Sequence, residues 1–233
     1  MDDRQLRLII TDELGFDPSV DASHINVAVG NGAVTLTGIV GSYAEKRAAA
    51  KAACRVRCVR SVTEAIEVRC PAGKVLDDAE LSNRARCTLA WDARVPTGIR
   101  AEVKKGWVQL SGVVDWHFQR QAAESAVGRL SGVVGISNLI ELRPNPVAYD
   151  IGKAIEAALS RSAELEAADI CVVIDANNTA RLEGNVRTWS ERFIAERAAW
   201  SAPGILAVVD DLVVAGQAGA GGRTAPRPES NAN

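Results

Sequence analysis

The stretch LTGIV at residues 36–40 returns twice in related form, as LSGVV at residues 110–114 and as LEGNV at residues 182–186. Its central glycine therefore recurs at intervals of 74 and 72 residues, at Gly38, Gly112 and Gly184. After each copy come an alanine-rich segment and a second signature, which begins with Gly132 in the second copy, Gly204 in the third and Cys58 in the first. Because two landmarks keep their spacing, the sequence predicts three copies of one module.

The module spacing divides the 233 residues into three repeats and a tail. We place repeat one at residues 1–70, repeat two at 75–143, repeat three at 147–214 and a disordered, Ala/Gly/Pro-rich tail at 215–233. Domains of this size bury only about 60% of the surface that their unfolded chains expose. We therefore expect neighbouring repeats to pack against one another.

Each repeat has the same order of predicted elements. A helical segment opens it, at residues 3–14, 77–90 and 150–159. An alternating apolar strand, a short turn rich in Asn, Gly or Lys, and a returning strand then predict a hairpin. An alanine-faced second helix and a last strand, at 133–142 in repeat two and 205–214 in repeat three, complete the unit. The fold class is α+β, with three tandem α-β-β-α-β modules, each a three-stranded sheet with two helices.

The second signature predicts how helix two ends. Gly132 and Gly204 suit the left-handed residue that follows many helices. Cys58 takes that place in repeat one, and a left-handed cysteine is sterically unfavourable. We therefore expect the end of helix two to be shaped differently in repeat one.

These landmarks resemble the BON domain, a module named for bacterial OsmY and nodulation-related proteins. Repeat two resembles the family pattern most, through Leu110, Gly112, Val114, Gly132 and Asn138. Repeat three has Asp210 in place of the asparagine, and repeat one has Glu64 there. The resemblance implies a non-enzymatic, OsmY-like, stress-associated protein whose partners are anionic phospholipid or other proteins.

Charge and composition limit the partners and the location. A net charge of −2 argues against a general nucleic-acid binder, and repeat three alone carries −5. The N-terminus has acidic residues where a signal peptide needs basic ones, and no apolar run is long enough for a transmembrane segment. Five cysteines without a repeating pattern favour a reducing compartment. The expected location is the cytoplasm, with peripheral contact to the inner membrane as an extension.

No motif predicts catalysis, a cofactor or a metal site. The two histidines, His24 and His117, have no patterned carboxylate or cysteine partner. Cys54 and Cys58 are four residues apart, but two thiols do not complete a zinc shell. We therefore expect a binding protein rather than an enzyme.

Large rings mark the start of helix two in every repeat. Tyr43 and Trp189 are the fifth residues after their landmark glycines, while Trp116 and Phe118 are the fourth and sixth after theirs. They could fix the angle at which the chain enters the helix. They could also be interface residues for lipid or protein, because Trp and Tyr favour such surfaces.

A basic stripe distinguishes repeat one. Arg47, Lys51 and Arg55 are spaced four residues apart on helix two, and the other repeats lack the pattern. Such a stripe can attract anionic headgroups at about 1 kcal/mol per basic side chain. A solvated helix face is the alternative interpretation.

Three functions are compatible with these features. The first is docking on anionic phospholipid through Arg47, Lys51 and Arg55. The second is a protein-binding scaffold or chaperone-like module that uses Trp116, Phe118 and Trp189. The third is a potassium-responsive role, because cytoplasmic BON proteins with a LysM module are associated with potassium binding. This chain resembles those proteins in the BON part only.

Overall fold

The computed structural model describes residues 2–71, 76–144, 151–161 and 170–214. Within these ranges the chain forms three three-stranded sheets and six α-helices, which confirms the predicted α+β class. The predicted tail, most of the links between repeats and the predicted helix start at Asp150 lie outside the described residues.

The helices and strands follow one order three times. Repeat one contains α1 (Asp3–Phe16), β1 (Ile25–Gly30), β2 (Ala33–Val40), α2 (Tyr43–Arg55) and β3 (Ser61–Val68). Repeat two contains α3 (Asp78–Trp91), β4 (Arg100–Lys104), β5 (Trp107–Val114), α4 (His117–Val127) and β6 (Gly135–Leu142). Repeat three contains α5 (Ile151–Ser160), β7 (Ile170–Ile174), β8 (Thr179–Val186), α6 (Trp189–Trp200) and β9 (Ala207–Val214).

The strand after the hairpin turn is the centre of each sheet. It pairs antiparallel with the strand before the turn and parallel with the last strand of the repeat. A parallel neighbour requires a crossover connection, and helix two provides it. The alanines of helix two let it lie close to the sheet; Ala49, Ala123 and Ala195 are fully buried.

The landmark glycines are required where the first two strands meet. Gly38 pairs with Ile25 and has a φ of +135°, a value that L-residues with a side chain rarely adopt. A Cβ atom there would overlap the carbonyl oxygen of His24. Gly112 and Gly184 have similar φ values of +140° and +131°. The motif that reveals the repeat thus marks a close backbone approach.

The structure corrects the expectation for Cys58. Its φ is +68°, beside +91° for Gly132 and +88° for Gly204, so all three repeats have a left-handed residue at this place. Repeat one keeps the shared geometry although a cysteine is strained in it.

Some predicted element ends differ from those observed. The first helices of repeats one and two run to Phe16 and Trp91, beyond the predicted ends. The last strands begin at Gly135 and Ala207, two residues after the predicted starts. Val133 and Ile205 are buried just before these strands, so they contribute to the core without belonging to the sheet.

Acidic residues at the first helical positions also hold the hairpin turns. The Asp3 carboxylate accepts hydrogen bonds from the backbone N–H groups of Asn31 (2.7 Å) and Gly32 (3.1 Å). Asp78 does the same for Lys105 (2.7 Å) and Gly106 (2.9 Å). These bonds lower the pKa of Asp78 below its usual value. Helix one and the hairpin are therefore joined in each of these repeats.

Candidate functional site

The fifth residue after each landmark glycine has an aromatic side chain that packs between two repeats. In repeat one this residue is Tyr43, which is half-buried against the core of repeat two. Its ring lies over Gly128, where a Cβ atom would be only 3.3 Å from the Tyr43 Cδ1 atom. The aromatic ring of Tyr43 in repeat one therefore packs against repeat two.

His117 is the corresponding ring of repeat two, which the sequence analysis did not recognise. It stacks on Trp200 of repeat three, with ring centroids 3.8 Å apart and planes inclined by 9°. Burial lowers the pKa of His117 to about 4, the Arg120 guanidinium acts in the same direction, and the Glu124 carboxylate opposes both. Counting residues from the landmark glycine would have placed His117 with Tyr43 and Trp189.

Trp189 completes the set. Its side chain packs against the core of repeat one as well as that of repeat three, and helices α2 and α6 are in contact. Contacts thus run from repeat one to two, from two to three and from three to one. The three repeats therefore form a closed, ring-shaped arrangement, in which each repeat contacts both of the others.

Ring size is matched at the receiving position, which is the sixteenth residue after the landmark glycine. It is Gly128 opposite Tyr43 and Trp200 opposite the smaller His117. The counterpart in repeat one is Cys54. The large ring of Tyr43 therefore meets a glycine and the smaller ring of His117 meets a tryptophan, as close packing requires.

The other two predicted aromatics, Trp116 and Phe118, are 37% and 54% exposed. They line a cleft of about 310 Å³ at the junction of repeats two and three. We call it the junction cleft; its walls include Trp116, His117, Phe118, Gln121, Arg197 and Trp200. Of the four predicted interface aromatics, Tyr43 and Trp189 thus pack between repeats, whereas Trp116 and Phe118 line the open junction cleft.

The predicted basic stripe is partly engaged in ion pairs. Arg55 lies 3.0 Å from both Glu13 and Asp17 at the end of α1. Asp17 has its pKa lowered to about 2, mainly by hydrogen bonds from Ser19 and also by Arg55. Arg47 lies 3.9 Å from Glu64. Lys51 is exposed and makes no ion pair with the described residues.

The polar position of the second signature connects the last strand with helix two. Asn138 donates to Glu124 at 3.0 Å. In repeat three the counterpart Asp210 accepts from Arg192. Glu64, the counterpart in repeat one, faces Arg47. Arg47 is therefore the local partner of Glu64, the acid that repeat one has in place of the asparagine.

Among the described residues, the most exposed large apolar side chains lie at the end of helix one, and the sequence analysis did not single them out. Phe16 is 85% exposed at the end of α1, and Trp91 is 89% exposed at the end of α3. The two occupy equivalent positions, and repeat three has Arg161 there. Trp91 also borders an open groove with Cys87 and Thr88. Comparison of the first helices, aligned on their buried leucines, would have found this pair.

Other kinds of site have no support in the described part of the chain. Its residues contain no group of three or more His, Cys, Asp or Glu side chains that could hold a metal ion. None of its helices is long and apolar enough to cross a membrane.

Known proteins resemble this chain at two levels. The model of the BON domain matches three times, at residues 2–70, 77–144 and 150–216. Osmotically-inducible protein Y of Escherichia coli (strain K12) is 32% identical over 143 residues, which are 59% of this chain and 71% of that protein.

Two solved structures of CdsD, a structural protein of the type III secretion system of Chlamydia trachomatis, are similar at 18% identity. One comparison covers 92% of this chain and 99% of the other, and the second covers 89% and 91%. The TM-score is 0.24 in both, which is too low to indicate a shared arrangement. Three family matches along most of the sequence, each on one α-β-β-α-β module, show that the chain belongs to the BON-domain family.

Proposed function

We propose that this protein is a non-enzymatic binding protein that docks on anionic phospholipid surfaces. The observation that carries the proposal is the pair of exposed aromatics, Phe16 and Trp91, at equivalent ends of helix one. Exposed apolar side chains that form a patch mark a contact surface, and Phe16 shares α1 with exposed Leu8 and Ile9. Tryptophan in particular favours the boundary between lipid and water, where its ring is half-solvated.

Neighbouring side chains fit the same partner. On α1, Leu8 and Ile9 are exposed on the side of the helix that carries Phe16. On α3, Arg86 is exposed in the turns before Trp91, whereas Arg84 is exposed and forms an ion pair with Glu80. Apolar side chains would enter the headgroup region while arginines meet its negative charge.

The ring arrangement favours joint action of the repeats. Equivalent positions in a cyclic arrangement lie at the same height along its axis. We infer from their equivalent positions that Phe16, Trp91 and Arg161 share one level of the molecule, with two aromatic side chains and one cation. These three side chains can contact one membrane surface at the same time, and the affinity of the linked contacts then exceeds that of any single contact.

The stress-associated part of the proposal rests on the relative from Escherichia coli, whose name describes osmotic induction. The binding-protein part rests on the BON-domain family, to which the chain belongs. Docking through exposed side chains, with no helix among the described residues able to cross a membrane, would place the protein at the membrane periphery.

The basic stripe stays a second candidate contact on the same lipid. Arg55 and Arg47 face carboxylates, so Lys51 is its member with the most freedom to meet a headgroup. The scaffold hypothesis loses Trp189, which packs between repeats three and one, and keeps Trp116 and Phe118. The potassium hypothesis stays a prediction, tested by melting temperatures in potassium and in sodium.

Vesicle flotation tests the proposal. The protein should float with phosphatidylglycerol vesicles and not with phosphatidylcholine vesicles. Replacing either aromatic, by Phe16→Ala or Trp91→Ala, should weaken binding by about tenfold, since each buried ring contributes about 1.5–3 kcal/mol. Arg161→Trp should strengthen it, because it supplies the third ring.

The control variant is Lys51→Ala on the stripe. If binding falls with Lys51→Ala and is unchanged by Phe16→Ala and Trp91→Ala, the contact lies on α2 and the proposed surface is wrong. If no anionic vesicle binds the protein, phospholipid docking itself is wrong. Circular dichroism of every variant distinguishes these results from loss of folding.

A further inference from the structure

Aromatic side chains line the junction cleft, and two of them are fixed by stacking on each other. His117 and Trp200 are stacked on each other, so their rings hold one another in place. Trp116 and Phe118, at the start of α4, present exposed rings beside them. Planar faces of this kind attract another flat apolar group by stacking.

Arg197 is the charged side chain among the residues that line the cleft. Arg197 lines it, is exposed, and makes no ion pair with the described residues. Two carboxylates on the helices that form the cleft accept hydrogen bonds from other groups: Glu124 from Asn138 at 3.0 Å, and Glu196 from Trp200 at 3.4 Å. His117 is neutral at pH 7 because burial lowers its pKa to about 4. A guanidinium without a partner beside apolar rings suits a carboxylate.

We propose that the junction cleft binds a small aromatic carboxylate, with its ring on the aromatic walls and its carboxylate on Arg197. The volume of about 310 Å³ is at the lower end of ligand sites, which range from about 300 to 1,000 Å³, and favours a small molecule over a peptide segment. Gln121 adds an amide on the cleft wall that can donate to an oxygen. An ammonium ligand, which aromatic walls can also hold, would be repelled by Arg197.

This site is independent of the lipid surface, since α4 and α6 carry it rather than α1 and α3. Its ligand would contact repeats two and three at once. It would therefore join them, and the folded protein would gain stability as the ligand concentration rises.

Four related probes separate the contributions in isothermal titration of the full chain. Phenylacetate has both ring and carboxylate, benzyl alcohol lacks the charge, acetate lacks the ring, and benzyltrimethylammonium reverses the charge. We expect phenylacetate to bind and the other three to bind at least about tenfold more weakly, because a hydrogen bond to a charged group and a stacked ring each contribute about that factor. Preference for benzyltrimethylammonium, or equal binding of phenylacetate and acetate, would overturn the proposal.

Two variants test the site itself. Arg197→Gln keeps a polar side chain without charge, and Phe118→Ala removes an exposed ring that no core depends on. Each should weaken phenylacetate binding by about tenfold. The matched control is Phe193→Ala, an exposed ring on α6 outside the cleft, which should leave binding unchanged. Phenylacetate binding that survives both Arg197→Gln and Phe118→Ala would place the ligand elsewhere, and thermal melts verify that each variant is folded.

Discussion

At the scale of single residues, the differences between repeats are matched by local partners. Glu64 replaces the asparagine of repeat two and faces Arg47, whereas Asp210 replaces it in repeat three and binds Arg192. An acid on the last strand is accompanied by a cation on helix two in both cases. The sequence showed each substitution and each arginine, but the spacing along the chain gave no reason to pair them.

Cys58 is the residue whose backbone strain is most easily relieved. Its φ of +68° costs a residue with a Cβ atom about 1–2 kcal/mol, which glycine avoids at some cost in unfolded-state entropy. We expect Cys58→Gly to raise the free energy of unfolding by up to about 1 kcal/mol in urea denaturation. Cys58→Ala is the matched control, since it removes the thiol and keeps the strain. A stabilisation that is equal in both variants would attribute the effect to the thiol instead.

At the scale of elements, the sequence predicted the order of helices and strands because it depends on local signals. Alternating apolar residues, turn residues and an alanine face are all read within about fifteen residues. The start of helix two is a place where local signals no longer predict the structure. A ring at the fifth position after the glycine fits several roles, and only the neighbouring repeat decides that Tyr43 packs over Gly128. Contacts between repeats have no local signature in the sequence.

Tyr43 tests that contact. Removing its ring by Tyr43→Ala should lower the free energy of unfolding by about 1–2 kcal/mol, because a half-buried aromatic side chain loses its contacts with repeat two. It should also speed proteolysis in the link between repeats one and two. Phe118→Ala, which removes an exposed ring at the start of α4, should change the free energy of unfolding by no more than about 0.5 kcal/mol and leave the rate of proteolysis unchanged. Equal effects of the two variants would argue against packing of Tyr43 between repeats.

At the scale of the whole molecule, the ring joins three small modules that each have a modest core. Domains of about 70 residues are marginally stable alone, so the contacts made by Tyr43, His117 and Trp189 contribute to the stability of all three. The sequence predicted that neighbours pack together. It did not predict that repeats one and three also meet, because the contact between α2 and α6 spans more than a hundred residues.

His117 makes one junction sensitive to acid. Its pKa is about 4 in the folded protein and about 6.5 when it is free of its surroundings, so the unfolded chain takes up the proton first. The contribution to stability is complete above pH 6.5, falls as the pH drops toward 4 and changes no further below it. In His117→Tyr, which copies repeat one, urea midpoints should fall less between pH 7 and pH 4.5 than in the natural protein.

Carboxylates with lowered pKa values respond in a different range. Asp17 and Asp92, each with a pKa of about 2, lose their contribution only between their usual value near 3.8 and pH 2. An acid response between pH 7 and pH 4.5 that is the same in His117→Tyr would therefore assign it to other groups.

Docking of Trp91 on lipid is measured most directly by quenching of tryptophan fluorescence with brominated phospholipid. Vesicles that contain brominated phosphatidylglycerol should quench the natural protein, and Trp91→Phe should lose most of the quenchable fraction, because the other four tryptophans are less exposed than Trp91 at 89%. Quenching that is equal in the natural protein and in Trp91→Phe, or absent from both, would contradict docking through the end of helix one.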